Sequence, residues 1–228
     1  MTGDIRVQIY TMQSVAEAQA VASHGVDHVG VTPSTLGLPG EVDYELAADI
    51  CRELTGVATS VALSVDVDLA AIEDMVRAVG PDVLHLCGPP GAVGPSAVAE
   101  LRRRLPHLPI MQAIAVMGHD AIDTARSYAA VADFLLLDSV DPEIPGVGAS
   151  GAVHDWEISA AIVEAVQTPV VLAGGLSPQN VASAIAIVNP WGVDSLSHTN
   201  RPIDRGRFRK DLDLVAQFVA VARGEVGT

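Results

Sequence analysis

The residues of this chain best suited to chemistry lie in its C-terminal half. Val170-Val171-Leu172-Ala173-Gly174-Gly175-Leu176-Ser177-Pro178-Gln179-Asn180 reads as an apolar run, a glycine turn and a helix start. Ser177 falls at the N-cap position and Pro178 at the first helical position. Backbone N–H groups at the glycines and at the helix start would then face one way, reinforced by the helix dipole, and such a place holds phosphate or another small anion. Asp138 ends the apolar run Phe134-Leu135-Leu136-Leu137. A carboxylate there is costly unless it meets solvent or a partner. Alternation along the other apolar runs puts Gln8 with Tyr10, Ser64 with Asp66, and His85 with Cys87 on shared faces. If these faces open into one mouth, Asp66, His85, Cys87 and Asp138 form a candidate zinc set. A glycine-rich stretch carrying Gly148, Ser150 and Gly151 leads to His154 and to Asp155, which is placed to cap the next helix. It is no nucleophile elbow, because Ala152 stands where glycine is required.

These residues need a frame to bring them together. Apolar runs begin near Ile5, Val26, Val57, Asp82, Pro109, Ala132, Pro169 and Trp191. Between them lie helical stripes: Ala47, Ile50, Cys51 and Leu54; Leu69, Ile72, Val76 and Val79; Ile158, Ala161, Ile162, Ala165 and Val166. A last stripe runs through Leu212, Val215, Ala216 and Val219. Eight such βα units in 228 residues predict an α/β fold, one (β/α)8 barrel domain over residues 1–228. A doubly wound sheet would call for a Gly-x-Gly-x-x-Gly turn after the first strand, and there is none. In a barrel the active site forms from the loops after the strands, with phosphate held after strands seven and eight. That puts Gly174 and Gly175 beside Ser197 and His198 as an anion cradle. The long connections Thr32 to Val42 and Ser139 to Val153 leave strand ends on the same face.

Composition narrows the partners. A formal net charge of −15 opposes nucleic acid and anionic membranes while leaving room for a small anionic ligand in a local pocket. No apolar run is long enough to span a bilayer and no signal-like segment opens the chain, so a cytoplasmic protein is expected. The two cysteines, Cys51 and Cys87, make no disulfide framework. The single lysine, Lys210, falls near the start of the last helix on the outside of the barrel, which argues against a Schiff-base aldolase.

The C-terminal half resembles the phosphoribosylanthranilate isomerase family. The resemblance rests on Leu136-Leu137-Asp138, Gly148-Ala149-Ser150-Gly151, His154-Asp155-Trp156, Leu172 to Asn180 and Gly192-Val193-Asp194, in the family's order and spacing. It implies a (β/α)8 barrel without a cofactor that carries out an Amadori rearrangement, with Asp138 as general acid. The departures fall where the chemistry would be. The family's first strand ends Lys-Ile-Cys-Gly with cysteine as general base, and here the run is Gln8-Ile9-Tyr10-Thr11. Tyrosine starts from a pKa of about 10, so Tyr10 would need a large downward shift to act as base. The family's Ser-Pro-Arg becomes Leu38-Pro39-Gly40, which removes an arginine expected to meet the substrate's anionic groups. Gln-Leu-His-Gly becomes His85-Leu86-Cys87-Gly88, and Ser-Ser-Gly becomes Leu196-Ser197-His198.

Three readings follow. The first is an isomerase of a small phosphorylated sugar derivative, in which Asp138 is the acid and His85 or Asp66 takes the C2 proton. The second is a metal-dependent phosphosugar epimerase or lyase using the Asp66, His85, Cys87 and Asp138 set. The third is a barrel that binds a phosphorylated ligand without turnover. In each the partner is a small anionic molecule, and the protein is a monomer or homodimer.

Overall fold

Each apolar run becomes a strand. The computed structural model describes residues 5–140, 147, 153–203 and 207–225. Among these, the strands are β1 (Arg6–Ile9), β2 (His28–Val31), β3 (Thr59–Ser64), β4 (Val83–Leu86), β5 (Ile110–Ala115), β6 (Phe134–Asp138), β7 (Val170–Leu172) and β8 (Gly192–Ser195). All pair in parallel, and β1 closes on β8 to complete the expected barrel. Helices cover the outside and side chains fill the inside, so the strands have no wet face and read as apolar runs. The helices are α1 (Val15–Ser23), α2 (Tyr44–Leu54), α3 (Leu69–Val79), α4 (Pro95–Arg104), α5 (Asp120–Ala129), α6 (Trp156–Ala165), α7 (Val181–Val188) and α8 (Leu212–Ala222). Asp43, Asp68, Asp155 and Asp211 cap α2, α3, α6 and α8 by accepting first-turn N–H groups. Among the described residues no helix is long and apolar enough to cross a membrane.

Two local expectations are corrected. Regular helix after β7 begins at Val181 with Asn180 at the cap, not at Pro178 behind Ser177. The Asn180 side chain bridges the turn, accepting from Ser177 N–H at 2.8 Å and donating to the Gly175 carbonyl at 3.0 Å, and this delays the helix by a turn. Lys210 is not on the outer helix. It ends the short hairpin β9 (Asn200–Pro202) and β10 (Phe208–Lys210), and it is buried.

The barrel interior is layered. At the lower end His28, Phe134 and Trp191 stack as a plug. Above them Val61, Val83, Met111, Leu136 and Val171 form an apolar layer with the Tyr10 ring. That ring fits because residue 30 is glycine: a Cβ there would lie 2.2 Å from it. The lower rim is tied by carboxylates that precede alternate strands. Asp27 accepts the Val7 N–H at 2.9 Å, Asp82 the Ser60 N–H at 2.8 Å, and Asp133 the Ile110 N–H at 2.9 Å. Arg6 and Arg223 also bind Asp27, and Arg102 binds Asp133 at 2.7 Å.

Candidate active site

At the upper end two cavities meet. The larger, about 620 Å³ and partly open to solvent, is walled by Leu38, Pro39, Leu63, Val65 and Val147, with Tyr10, His85 and Cys87 lower down. The smaller lies among Gly174, Gly175, Ser195, Ser197 and His198. Asp138, Asp194 and Leu196 border both, so the two form one bipartite site.

Strand parity decides which side chains reach it. In β4, His85 and Cys87 point inward as expected. In β3 Leu63 faces inward, and Val65 just past its end lines the larger cavity, whereas Ser64 and Asp66 line neither cavity. Asp66 therefore does not line the site, and its expected roles as base and metal ligand are corrected. Among the described residues no three His, Cys, Asp or Glu side chains converge on a metal position, which also removes the zinc set. Cys87 instead donates to the Val147 carbonyl at 2.8 Å, and burial pushes its thiol far above the usual range. Gly148, Ser150 and Gly151 lie outside the described residues. Gly174, Gly175, Ser197 and His198 stand together around the smaller cavity, with both glycines at positive φ.

The polar groups are held in unusual states. Tyr10 Oη lies 3.0 Å from His85 Nδ1. Burial raises the phenol well above its ordinary value, with further upward pressure from Asp194, and it lowers the His85 imidazole to about 3. Both are neutral at physiological pH. Asp138 takes N–H and O–H hydrogen bonds from Ser139 at 2.7 and 3.3 Å. It borders both cavities and is half-buried, and desolvation pushes its carboxyl up to about 7. Asp194, opposite Gln8 in the β1–β8 register, is raised to about 8 by burial and then by Asp138. Its Oδ1 has no hydrogen-bond partner among the described residues. Gln8 and Lys210 act the other way and favour its charged form.

Three residues of this site escape sequence reading as functional. Asp194 sits within the Gly192-Val193-Asp194 motif, and its parity with Gln8 across the closing seam of the barrel was the available signal. His154 reaches over the glycine turn: a Cβ on Gly174 would meet its Nδ1 at 2.6 Å and Asp138 Oδ1 at 3.3 Å. Its Nε2 is 2.8 Å from Ser159 Oγ, and burial lowers its pKa to about 4. Lys210 donates to the Leu196 carbonyl and to Thr199 Oγ1, both at 3.1 Å, behind the loop that forms the smaller cavity. Burial brings its ammonium down to about 7 against the opposing pull of Asp194 and Glu17.

The model of N-(5'phosphoribosyl)anthranilate (PRA) isomerase matches residues 7–221. The chain belongs to the phosphoribosylanthranilate isomerase family. An N-(5'-phosphoribosyl)anthranilate isomerase of Natronomonas pharaonis is 34% identical over 96% of this chain and 98% of its own. N-(5'-phosphoribosyl)anthranilate isomerase 2 of Methanosarcina mazei is 30% identical over 97% and 95%. Among solved structures, the phosphoribosylanthranilate isomerase of Thermotoga maritima superposes with a TM-score of 0.78 at 27% identity, covering 96% of this chain and 99% of that one. A second structure of such an enzyme, at TM-score 0.76 and 25% identity with the same coverage, holds reduced 1-(o-carboxyphenylamino)-1-deoxyribulose 5-phosphate. Tyr10, Leu38 and Pro39, which stand where the sequence departs from the motifs the resemblance implies, all face the larger cavity.

Proposed function

We propose that the protein isomerises an N-substituted 5-phosphoribosylamine to the corresponding 1-amino-1-deoxyribulose 5-phosphate, with Asp138 as general acid and Asp194 as general base. The observation that carries this reading is the pair of desolvated carboxyls shared by both cavities. The phosphate takes the backbone N–H groups around Gly174, Gly175, Ser197 and His198. The sugar then lies over Asp138 and Asp194, and the nitrogen substituent enters the larger cavity.

Asp138, kept protonated by burial, passes its proton to the ring oxygen as the C1–O bond breaks, leaving an iminium at C1. Asp194 removes the C2 proton, and that electron pair forms the C1–C2 double bond of an aminoenol while the iminium nitrogen is neutralised. Return of a proton to C1 and loss of the enol proton give the C2 ketone. The net change is an isomerisation. Burial and Asp138 raise Asp194 to about 8, so the base is its ionised fraction, which Gln8 and Lys210 favour. His85, with so low a pKa, is a weak base, and Tyr10 serves to hold it. The buried free thiols Cys51 and Cys87 support a reducing, cytoplasmic setting.

The test is product formation from phosphoribosylanthranilate by purified protein. Turnover should be slow, because the family's base and arginine are replaced, and it should depend on both carboxyls. Turnover equal to wild type in both Asp138→Asn and Asp194→Asn would contradict the reading.

A further inference from the structure

The loop that borders the smaller cavity after β8 is held from behind by a cation without a counter-ion. Lys210, the single lysine of the chain, is buried and lines neither cavity. Its ammonium donates to the Leu196 carbonyl and to Thr199 Oγ1, two neutral acceptors, at 3.1 Å each. Among the described residues no carboxylate makes an ion pair with it. Glu17 takes the main-chain N–H of Lys210 at 2.7 Å, not the ammonium, and Asp194 acts on the charge from longer range. Burying an ammonium on neutral partners is costly, and an apolar side chain would anchor the hairpin at lower cost. The choice of acceptor is informative. Leu196 and Ser197 share a trans peptide, in which the carbonyl and the following N–H point in opposite directions. The Leu196 carbonyl is turned back to Lys210 and also accepts from the Thr199 N–H and O–H groups. The Ser197 N–H is thereby turned the other way, on the side where Ser197 lines the smaller cavity, and it has no acceptor among the described residues. An ammonium on the carbonyl polarises the peptide and makes its N–H a stronger donor.

We infer that Lys210 is a positioning residue for the phosphate of the substrate: it aims and polarises the Ser197 N–H and supplies the buried positive charge that the bound anion answers. This rests on the phosphate assignment made above and deepens it. Lys210 acts through the Leu196–Ser197 peptide, without touching the ligand itself. The cradle then has two unlike sides. Positive φ at Gly174 and Gly175 shapes one, and a buried ammonium one peptide away charges the other.

Calorimetric titration with inorganic phosphate compares the wild type with Lys210→Met, which keeps the length and loses the charge, and Lys210→Arg, which keeps a charged donor. Lys210→Met should bind phosphate at least about tenfold more weakly, and Lys210→Arg should stay within about threefold of the wild type. A side chain that only anchored the hairpin would give the opposite order, with Met tolerated in the buried site and the larger Arg not. Unchanged affinity in Lys210→Met, or equal loss in both variants, overturns the inference. The wild type supplies a test that holds even where a variant fails to fold: phosphate should shift the Ser197 amide resonance together with those of Gly174 and Gly175. If the two glycines move and Ser197 does not, the inference fails and the phosphate assignment stands. If none of the three moves, the phosphate assignment fails with it.

Discussion

The two ends of the barrel treat the same side chain in opposite ways. At the lower rim Asp27, Asp82 and Asp133 are each given backbone N–H donors, and Asp27 and Asp133 have arginines as well. Asp27 is held below the usual carboxylate range: backbone and arginine hydrogen bonds outweigh its desolvation. At the upper rim Asp138 and Asp194 are enclosed with too few partners, and burial drives both toward neutrality. At one end Asp27 is a clamp that works charged. The other end uses aspartate as a reservoir of protons, which is how a site acquires acids and bases that work near pH 7.

The sharpest way to break this contrast is at the reservoir. Asp138→Asn keeps shape and hydrogen bonding but removes the transferable proton, so turnover should fall at least about a hundredfold with ligand affinity little changed. Equal turnover in wild type and variant would make Asp138 structural. Gly174→Ala tests the neighbouring cradle. Its φ of 81° and the 2.6 Å approach of His154 Nδ1 leave no room for a methyl group, so phosphate affinity should drop about tenfold or more. Calorimetric titration with inorganic phosphate measures this, and an unchanged affinity would place the anion elsewhere.

At the clamp the effect moves from activity to stability. Asp27→Ala removes the acceptor of the Val7 N–H and of Arg6 and Arg223 at the lower rim and should cost about 1–3 kcal/mol in urea unfolding, with kcat unaltered. A variant of wild-type stability would show the lower carboxylates to be incidental. The two ends also respond oppositely to pH. Asp138 and Asp194 have native pKa values above the unfolded value of about 4, so between about pH 4 and 8 the native state holds protons that the unfolded state has lost. Their contribution to stability therefore declines as pH rises through that window. The Asp27 contribution is present above about pH 4 and is lost as pH falls through its lowered native pKa. Asp138→Asn should accordingly raise Tm more at pH 8 than at pH 5, and Asp27→Asn should lower it at pH 8 with less effect at low pH. The smallest change expected is Tyr10→Phe, which removes one buried hydrogen bond to His85 at about 1 kcal/mol and should alter turnover only a few-fold.

The sequence carried the frame of the molecule better than its site. Strand starts were legible to within one or two residues because barrel strands buried on both faces are continuous apolar runs. The stripe Ala47, Ile50, Cys51 and Leu54 was legible because α2 buries one face only, the one it presents to the barrel. Parity was less secure: where polar residues alternate with apolar ones past the end of a strand, either face can be the inner one, and Asp66 was placed on the wrong side. The helix start at Ser177-Pro178 obeyed local rules that the Asn180 side chain overrides with its own turn. Lys210 was misplaced because a short hairpin before the last helix leaves no periodic signal. Its burial is visible only once the loop after β8 folds back over it.

The central claim is that Asp138 and Asp194 titrate near neutrality while Asp27 does not. It is measured directly by 13C NMR titration of the aspartate carboxyl carbons, assigned through Asp138→Asn, Asp194→Asn and Asp27→Asn. The account predicts that the Asp138 and Asp194 resonances move with midpoints above about pH 6, each perturbed by loss of the other, and that Asp27 titrates below about pH 4. Midpoints near 4 for both Asp138 and Asp194 would contradict it, leaving the site without an acid protonated at neutral pH.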